Sequence, residues 1–171
     1  MNLVFSWMDK APRRVFSAVF LACTAMLAFG MYLQHVVGLE PCPMCIVQRY
    51  ALILVAICAA LAAASGRKGL QVAGSVLLVV FAVAGAYVAA RQSWLQWYPP
   101  EVLTCGRDFF GMIESFPLRR AVPMIFRGSG DCSVIDWTFL GLSIANWSFL
   151  WFAAFTAMAA LLWWRRPRDT A

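Results

Sequence analysis

The sequence predicts an all-α integral membrane protein, a four-transmembrane-helix bundle forming a single domain over residues 1–171. Three observations predict it. The chain is 63% hydrophobic and only 13% charged, with a mean hydropathy of +0.74. It contains four apolar stretches of about 20 residues, the length of a helix that crosses a bilayer. Its basic clusters also fall where four crossings place them on one side. A soluble domain is nearer about 45–50% apolar and about 25% charged. The excess apolar surface here needs lipid as its solvent.

The spans are expected at about 15–33, 46–64, 70–90 and 146–164. The first and third hold no charged residue, and the second holds only Arg49, within a turn of its start. Small residues recur inside them, for example Gly74, Ser75, Gly85 and Ala86, as close helix approach in lipid requires. Lys10, Arg13 and Arg14 precede the first span as they would a signal peptide. The run is too long for a signal core, however, and ends in Tyr32-Leu33-Gln34-His35 rather than at a small-residue cleavage site. A retained helix is expected.

Charge sets the orientation. Lys10, Arg13 and Arg14, then Arg67 and Lys68, then Arg165, Arg166 and Arg168 share one side, which the positive-inside rule makes cytoplasmic. Both termini are then cytoplasmic, and the loops at about 34–45 and 91–145 lie outside. The long loop balances Arg91, Arg107, Arg119, Arg120 and Arg127 against Glu101, Asp108, Glu114, Asp131 and Asp136. The net charge of +6 therefore marks topology. No basic stripe or aromatic-basic module points to nucleic acid.

This orientation sorts the cysteines. Cys42, Cys45, Cys105 and Cys132 lie in the outward loops, where four cysteines in an oxidising compartment read as two disulfides. Cys23 and Cys58 fall inside spans and read as small apolar core residues. Pro41-Cys42-Pro43-Met44-Cys45 is a Cys-x-x-Cys at a helix start. Such a pair closes a very small ring and can cycle between dithiol and disulfide. The helix N-terminus stabilises a thiolate there, with Cys45 expected to benefit most. Arg49 follows on the same helix face. It is either an anchor snorkelling to the headgroups or a cation for a thiolate or a reduced acceptor. Zinc is the alternative for the cysteines, but ribbons usually repeat the Cys-x-x-Cys. Cys105 and Cys132 stand 27 positions apart, and His35 is the chain's single histidine. No metal is expected. Alone, Cys105 and Cys132 would be a staple worth roughly 3–4 kcal/mol in the chain-entropy model; beside the Cys-x-x-Cys, a relay becomes possible. Phe109, Phe110, Ile113 and Phe116, followed by Arg119 and Arg120, predict a short interfacial helix lying on the membrane.

The order of these features resembles the disulfide bond formation protein B (DsbB) family. A Cys-x-x-Cys heads span two with Arg four residues on, and a cysteine pair occupies the second outer loop. Local matches extend over about residues 15–164: Gln34-His35-Val36, Leu95-Gln96-Trp97-Tyr98-Pro99, Val122-Pro123, Gly130-Asp131-Cys132 and Trp137-Thr138-Phe139-Leu140-Gly141-Leu142. The resemblance implies a membrane thiol:quinone oxidoreductase of the bacterial inner membrane. It would reoxidise a DsbA-like periplasmic thioredoxin-fold partner and pass electrons to ubiquinone or menaquinone in the membrane pool. Cys105 would form the mixed disulfide with the partner, Cys132 would exchange with Cys42, and Cys45 would face the quinone, assisted by Arg49. The resting pairs would be Cys42–Cys45 and Cys105–Cys132. Where some relatives carry histidine at the end of span three, this chain has Arg91-Gln92. Gln92 is then the candidate to hydrogen-bond a quinone oxygen, and Arg91 to supply charge. A vitamin K epoxide reductase-like enzyme would place the loop pair before the motif, the reverse of the order here. The non-enzymatic alternative is a tetraspan protein with structural loop disulfides.

Overall fold

In the computed structural model, residues 12–39, 41–65, 67–99 and 132–164 are described. They form α1 (Pro12–His35), α2 (Pro43–Ala64), α3 (Lys68–Trp97), β1 (Thr138–Phe139), β2 (Leu142–Ser143) and α4 (Ile144–Trp164). All four helices are long and apolar enough to cross a membrane, and the chain is a multi-pass membrane protein built on them. Cys105 and the expected interfacial helix lie outside the described residues, as do the basic clusters at Lys10 and Arg165–Arg168.

Local chemistry sets the helix limits. Pro43 opens α2 at a position where its missing N–H costs nothing. Ser65 closes the same helix by donating its backbone N–H to Leu61 O. The link from α2 to α3 is only 65–67, too short for anything but antiparallel neighbours. Arg13 Nε donates to Ala63 O at 2.8 Å, so the start of α1 and the end of α2 share one end of the bundle. The Cys-x-x-Cys lies at the other.

Neighbouring helices pack in chain order, α1 on α2, α2 on α3 and α3 on α4. The main core draws on all four, with Phe16, Val55, Leu78 and Phe155 all but inaccessible. Two glycines make the approaches possible. A Cβ on Gly85 would stand 2.5 Å from Cζ of Phe152, and one on Gly74 would stand 2.9 Å from Cβ of Ala62. Close approach of small residues is how helices associate where lipid removes the hydrophobic drive. Leu21, Leu61, Val76 and Val80 are exposed, as an apolar solvent permits.

One boundary differs from expectation. α3 continues seven residues beyond the expected end of its span at 90, to Trp97. Polar Arg91-Gln92-Ser93 reads as an exit from the membrane. In the fold Gln92, Ser93 and Leu95 are buried, so the helix persists because that face has partners at the cysteine-bearing end.

After Cys132 the chain turns through a two-stranded antiparallel hairpin, pairing Thr138 with Ser143 and Phe139 with Leu142. Leu140 and Gly141 form its tip with φ of 53° and 79°. Glycine takes that conformation without penalty, while at Leu140 the tight two-residue turn imposes it. Ser143 Oγ and Gln96 Oε1 are hydrogen-bonded at 2.6 Å, tying the hairpin to the end of α3.

Candidate functional site

The site is assembled at the N-terminus of α2. Cys42 is the N-cap, in extended backbone with φ −68° and ψ 160°. Its Sγ accepts the backbone N–H of Cys45 at 3.3 Å, where a serine hydroxyl would sit in an ordinary cap. The two sulfurs are 2.8 Å apart. Cys45 lies inside the first turn, and the Cys42 sulfur accepts its free backbone amide.

Cys132 comes to the same place from the far end of the second loop. It is fully buried and clusters with Cys42, Met44, Val88 and Leu95. It lies within hydrogen-bonding reach of Cys42. Three of the four cysteines expected to act thus meet among the described residues. Contact with the Cys132 and Cys45 sulfurs, together with burial, pushes the Cys42 thiol well above the ordinary thiol range.

Two glutamines brace the sulfurs. Gln92 Nε2 donates to Cys42 Sγ at 3.2 Å and to Cys45 Sγ at 3.3 Å. Its Oε1 accepts from Gln48 Nε2 at 2.6 Å. Both glutamines are buried. Gln92 therefore faces the sulfurs and also lines the cavity beside them. Gln48 was not anticipated. It sits in sequence beside Arg49 as one more polar residue near a membrane surface, and only the packing of α2 on α3 turns it toward Gln92.

Arg49 is half-buried and held from α1. Its Nη1 donates to Gln34 Oε1 and its Nη2 to Gly30 O at 3.2 Å. A guanidinium fixed by two acceptors on another helix is more constrained than a headgroup anchor. Arg91 is half-buried on the adjacent α3 position, and it is not among the residues lining the cavity beside the sulfurs.

That cavity has a volume of about 720 Å³, within the roughly 300–1,000 Å³ usual for small-molecule sites. Cys42, Cys45, Gln48, Arg49 and Gln92 form its polar end. Its walls are apolar, among them Met26, Leu33, Leu52, Trp151 and Phe152. Aromatic rings cross one side. Trp137 meets Phe29 edge-on at 5.7 Å and stacks with Phe139 at 6.1 Å. Trp147 Nε1 donates to Phe139 O at 3.0 Å. The space pairs a polar end with aliphatic and aromatic walls, the chemistry of a site for a planar apolar ring bearing polar oxygens. Among the described residues no group of three or more His, Cys, Asp or Glu forms a candidate metal site.

Comparison with known proteins gives concordant matches. The family model described as disulfide bond formation protein DsbB matches residues 12–162. A protein of Albidiferax ferrireducens named Disulfide bond formation protein B is 68% identical over 165 residues, covering 96% of this chain and 95% of its own. Its namesake in an Acidovorax species is 67% identical over 159 residues, covering 93% and 91%. Another in an Azoarcus species is 58% identical over 164 residues, covering 94% and 98%.

Proposed function

The chain belongs to the disulfide bond formation protein B family, and from that premise we propose that it is a protein dithiol:quinone oxidoreductase. Its broad role is in disulfide bond formation, as a membrane oxidoreductase. In the finer reading it takes electrons from a DsbA-like thioredoxin-fold partner in the periplasm and delivers them to a quinone of the inner membrane. The cysteine-bearing end faces the periplasm and the termini face the cytoplasm.

The steps follow thiol–disulfide exchange. A thiolate of the partner attacks Cys105, breaking the Cys105–Cys132 bond and leaving Cys132 as thiolate. The partner's second thiolate then attacks its own sulfur in that mixed disulfide and releases Cys105. Cys132 attacks Cys42 in the Cys42–Cys45 disulfide, and Cys45 leaves as thiolate. Closure of Cys105 onto Cys132 then releases Cys42. Two electrons have moved from the partner to Cys42 and Cys45, and the outer pair is restored. The observation that carries this reading is the cluster itself, Cys132 within reach of Cys42 and Cys42 in contact with Cys45, at the polar end of an apolar cavity.

A quinone supplies a two-electron, two-proton acceptor when bound. This chain's part is to hold it and to place charge. Arg49 offers a fixed cation for the negative charge arriving with the electrons, and Gln34 and Gly30 keep that cation in position. Gln92 holds the sulfurs and Gln48 holds Gln92. The apolar walls of the cavity exclude water from the thiolate.

The test incubates the purified protein with a reduced DsbA-like partner and ubiquinone or menaquinone, following quinone absorbance and the partner's thiols. Stoichiometric loss of both is expected over many turnovers. Absence of turnover in a folded protein whose four outer cysteines stay paired would favour the structural-disulfide tetraspan reading.

A further inference from the structure

Gln92 and Gln48 are buried amides on different helices, and their arrangement is directional. Gln92 Oε1 is occupied by Gln48 Nε2 at 2.6 Å. That leaves the Gln92 Nε2 hydrogens for the two sulfurs, at 3.2 Å from Cys42 and 3.3 Å from Cys45. Cys45 Sγ also donates to Gln92 Oε1 at 3.7 Å, the longer of its two contacts with that amide. An amide turned the other way would present carbonyl lone pairs to sulfur. With Gln48 donating to its carbonyl, Gln92 keeps its N–H end the closer to both sulfurs.

We propose that Gln92, oriented by Gln48, is a neutral N–H donor that stabilises the reduced Cys42–Cys45 couple and so sets its oxidising strength. This rests on the reading of Cys42 and Cys45 as the inner redox pair. Reduction breaks their S–S bond, adds two electrons and leaves either two thiols or a thiol and a thiolate. The sulfurs become better hydrogen-bond acceptors as negative charge collects on them, and a donor to a charged acceptor is worth more than one to a neutral acceptor. Stabilising the reduced form makes a couple more oxidising. Gln92 touches the reacting atoms, whereas Gln48 acts through Gln92 and is a positioning residue. A purely structural role would be that of an interhelical polar tie between α2 and α3, which lipid-embedded helices also use. The two roles part on a redox equilibrium.

The experiment uses the full-length chain carrying Cys105→Ala and Cys132→Ala, so that only the inner couple titrates. Glutathione buffers set the potential, and alkylation with mass analysis reads the fraction reduced. Gln92→Met, nearly isosteric but without the donor, should lower the equilibrium constant for reduction about tenfold, or about 30 mV for two electrons. Gln48→Met should shift it the same way by less. The double variant should shift it no further than Gln92→Met alone, since both act through one contact. Gln92→His, which keeps a ring N–H, should recover part of the loss. An unchanged constant in folded Gln92→Met, or fully additive shifts, would overturn the proposal. If Gln92→Met does not fold, an unchanged constant in Gln48→Met overturns it instead. If Cys42 and Cys45 do not interconvert reversibly in the parent chain, the inner-pair reading itself fails, which is a distinct result.

Discussion

In the middle of the bundle Cys23 and Cys58 pack in a core with Val19, Val55 and Ala59. At its far end Cys42 and Cys45 share their surroundings with Gln48, Gln92 and Arg49. Both groups are largely buried, so burial alone does not separate them. The difference is the company of polar groups. Cys23 and Cys58 meet apolar side chains that can neither donate a proton nor hold a charge. The outer ones meet amide N–H donors, a helix N-terminus and one another's sulfurs. Free cysteine in an apolar setting behaves as a small hydrophobe, and its chemistry is switched on by donors and cations nearby. In the proposed function one bundle thus uses a single residue type as packing material and as a reactive group.

The largest effect that would break this comparison is at Cys45. Cys45→Ala should abolish multiple-turnover quinone reduction. It should also leave a stable Cys42–Cys132 disulfide, formed when Cys42 attacks Cys132 and Cys105 departs. Peptide mapping without reductant reads that bond directly. Turnover that persists in Cys45→Ala would remove the outer cysteines from their special position.

Much of this was legible in the sequence. Four apolar runs announced the spans, and the Cys-x-x-Cys with Arg49 four residues on announced the candidate site. Local patterns did not announce what depends on two helices meeting. Gln92 was visible only as a polar residue where a span seemed to stop. Its burial in a helix that runs on to Trp97 follows from α2 packing on α3. Gln48 had no signal at all beside its charged neighbour. That Cys132 returns to Cys42 was an expectation of family resemblance, because two cysteines 90 positions apart leave no local pattern. The aromatic side formed by Trp137, Phe139 and Trp147 likewise depends on a hairpin of two-residue strands, too short for periodicity to reveal.

The packed middle should respond to volume rather than chemistry. Gly85 faces the ring of Phe152, and even a Cβ would stand 2.5 Å from it. Gly85→Leu should cost about 1–3 kcal/mol, the usual range for overpacking, read as a lower melting temperature in detergent. The folded fraction should still exchange disulfides, since Cys42 and Cys45 lie at the end of the bundle away from this contact. A Gly85→Leu protein with full thermal stability would mean that α3 and α4 separate more easily than their packing implies.

Arg49 tests the outer end at intermediate scale. Lysine keeps the charge but not the fork that reaches both Gln34 and Gly30. Arg49→Lys should raise the apparent KM for quinone about tenfold, equivalent to about 1.4 kcal/mol, with insertion and melting unchanged. Exchange between the partner and Cys105–Cys132 should survive in a single turnover without quinone, since Arg49 has no part in it. Unchanged quinone kinetics would return Arg49 to the role of a helix anchor.

The smallest effect is expected where the comparison is sharpest, at the cysteines of the middle. Cys23 is fully buried and Cys58 nearly so, and both belong to the cluster that holds Phe16, Val55 and Phe155. Replacing each with alanine removes one sulfur, about the volume of a methyl group, and a void of that size costs about 1 kcal/mol. The double variant Cys23→Ala with Cys58→Ala should therefore melt a few degrees lower while retaining turnover, quinone KM and the Cys42–Cys45 equilibrium. Two measurements on one preparation decide it, a melting curve and steady-state quinone kinetics. Lost turnover with melting preserved would show that the inner thiols exchange electrons with the outer ones. Lost melting with turnover per folded molecule preserved is the result that packing alone predicts. Serine at the same positions sharpens the contrast, since a hydroxyl fills the volume but must find a hydrogen bond among aliphatic neighbours. Cys23→Ser should then cost more stability than Cys23→Ala, the reverse of what volume alone would give.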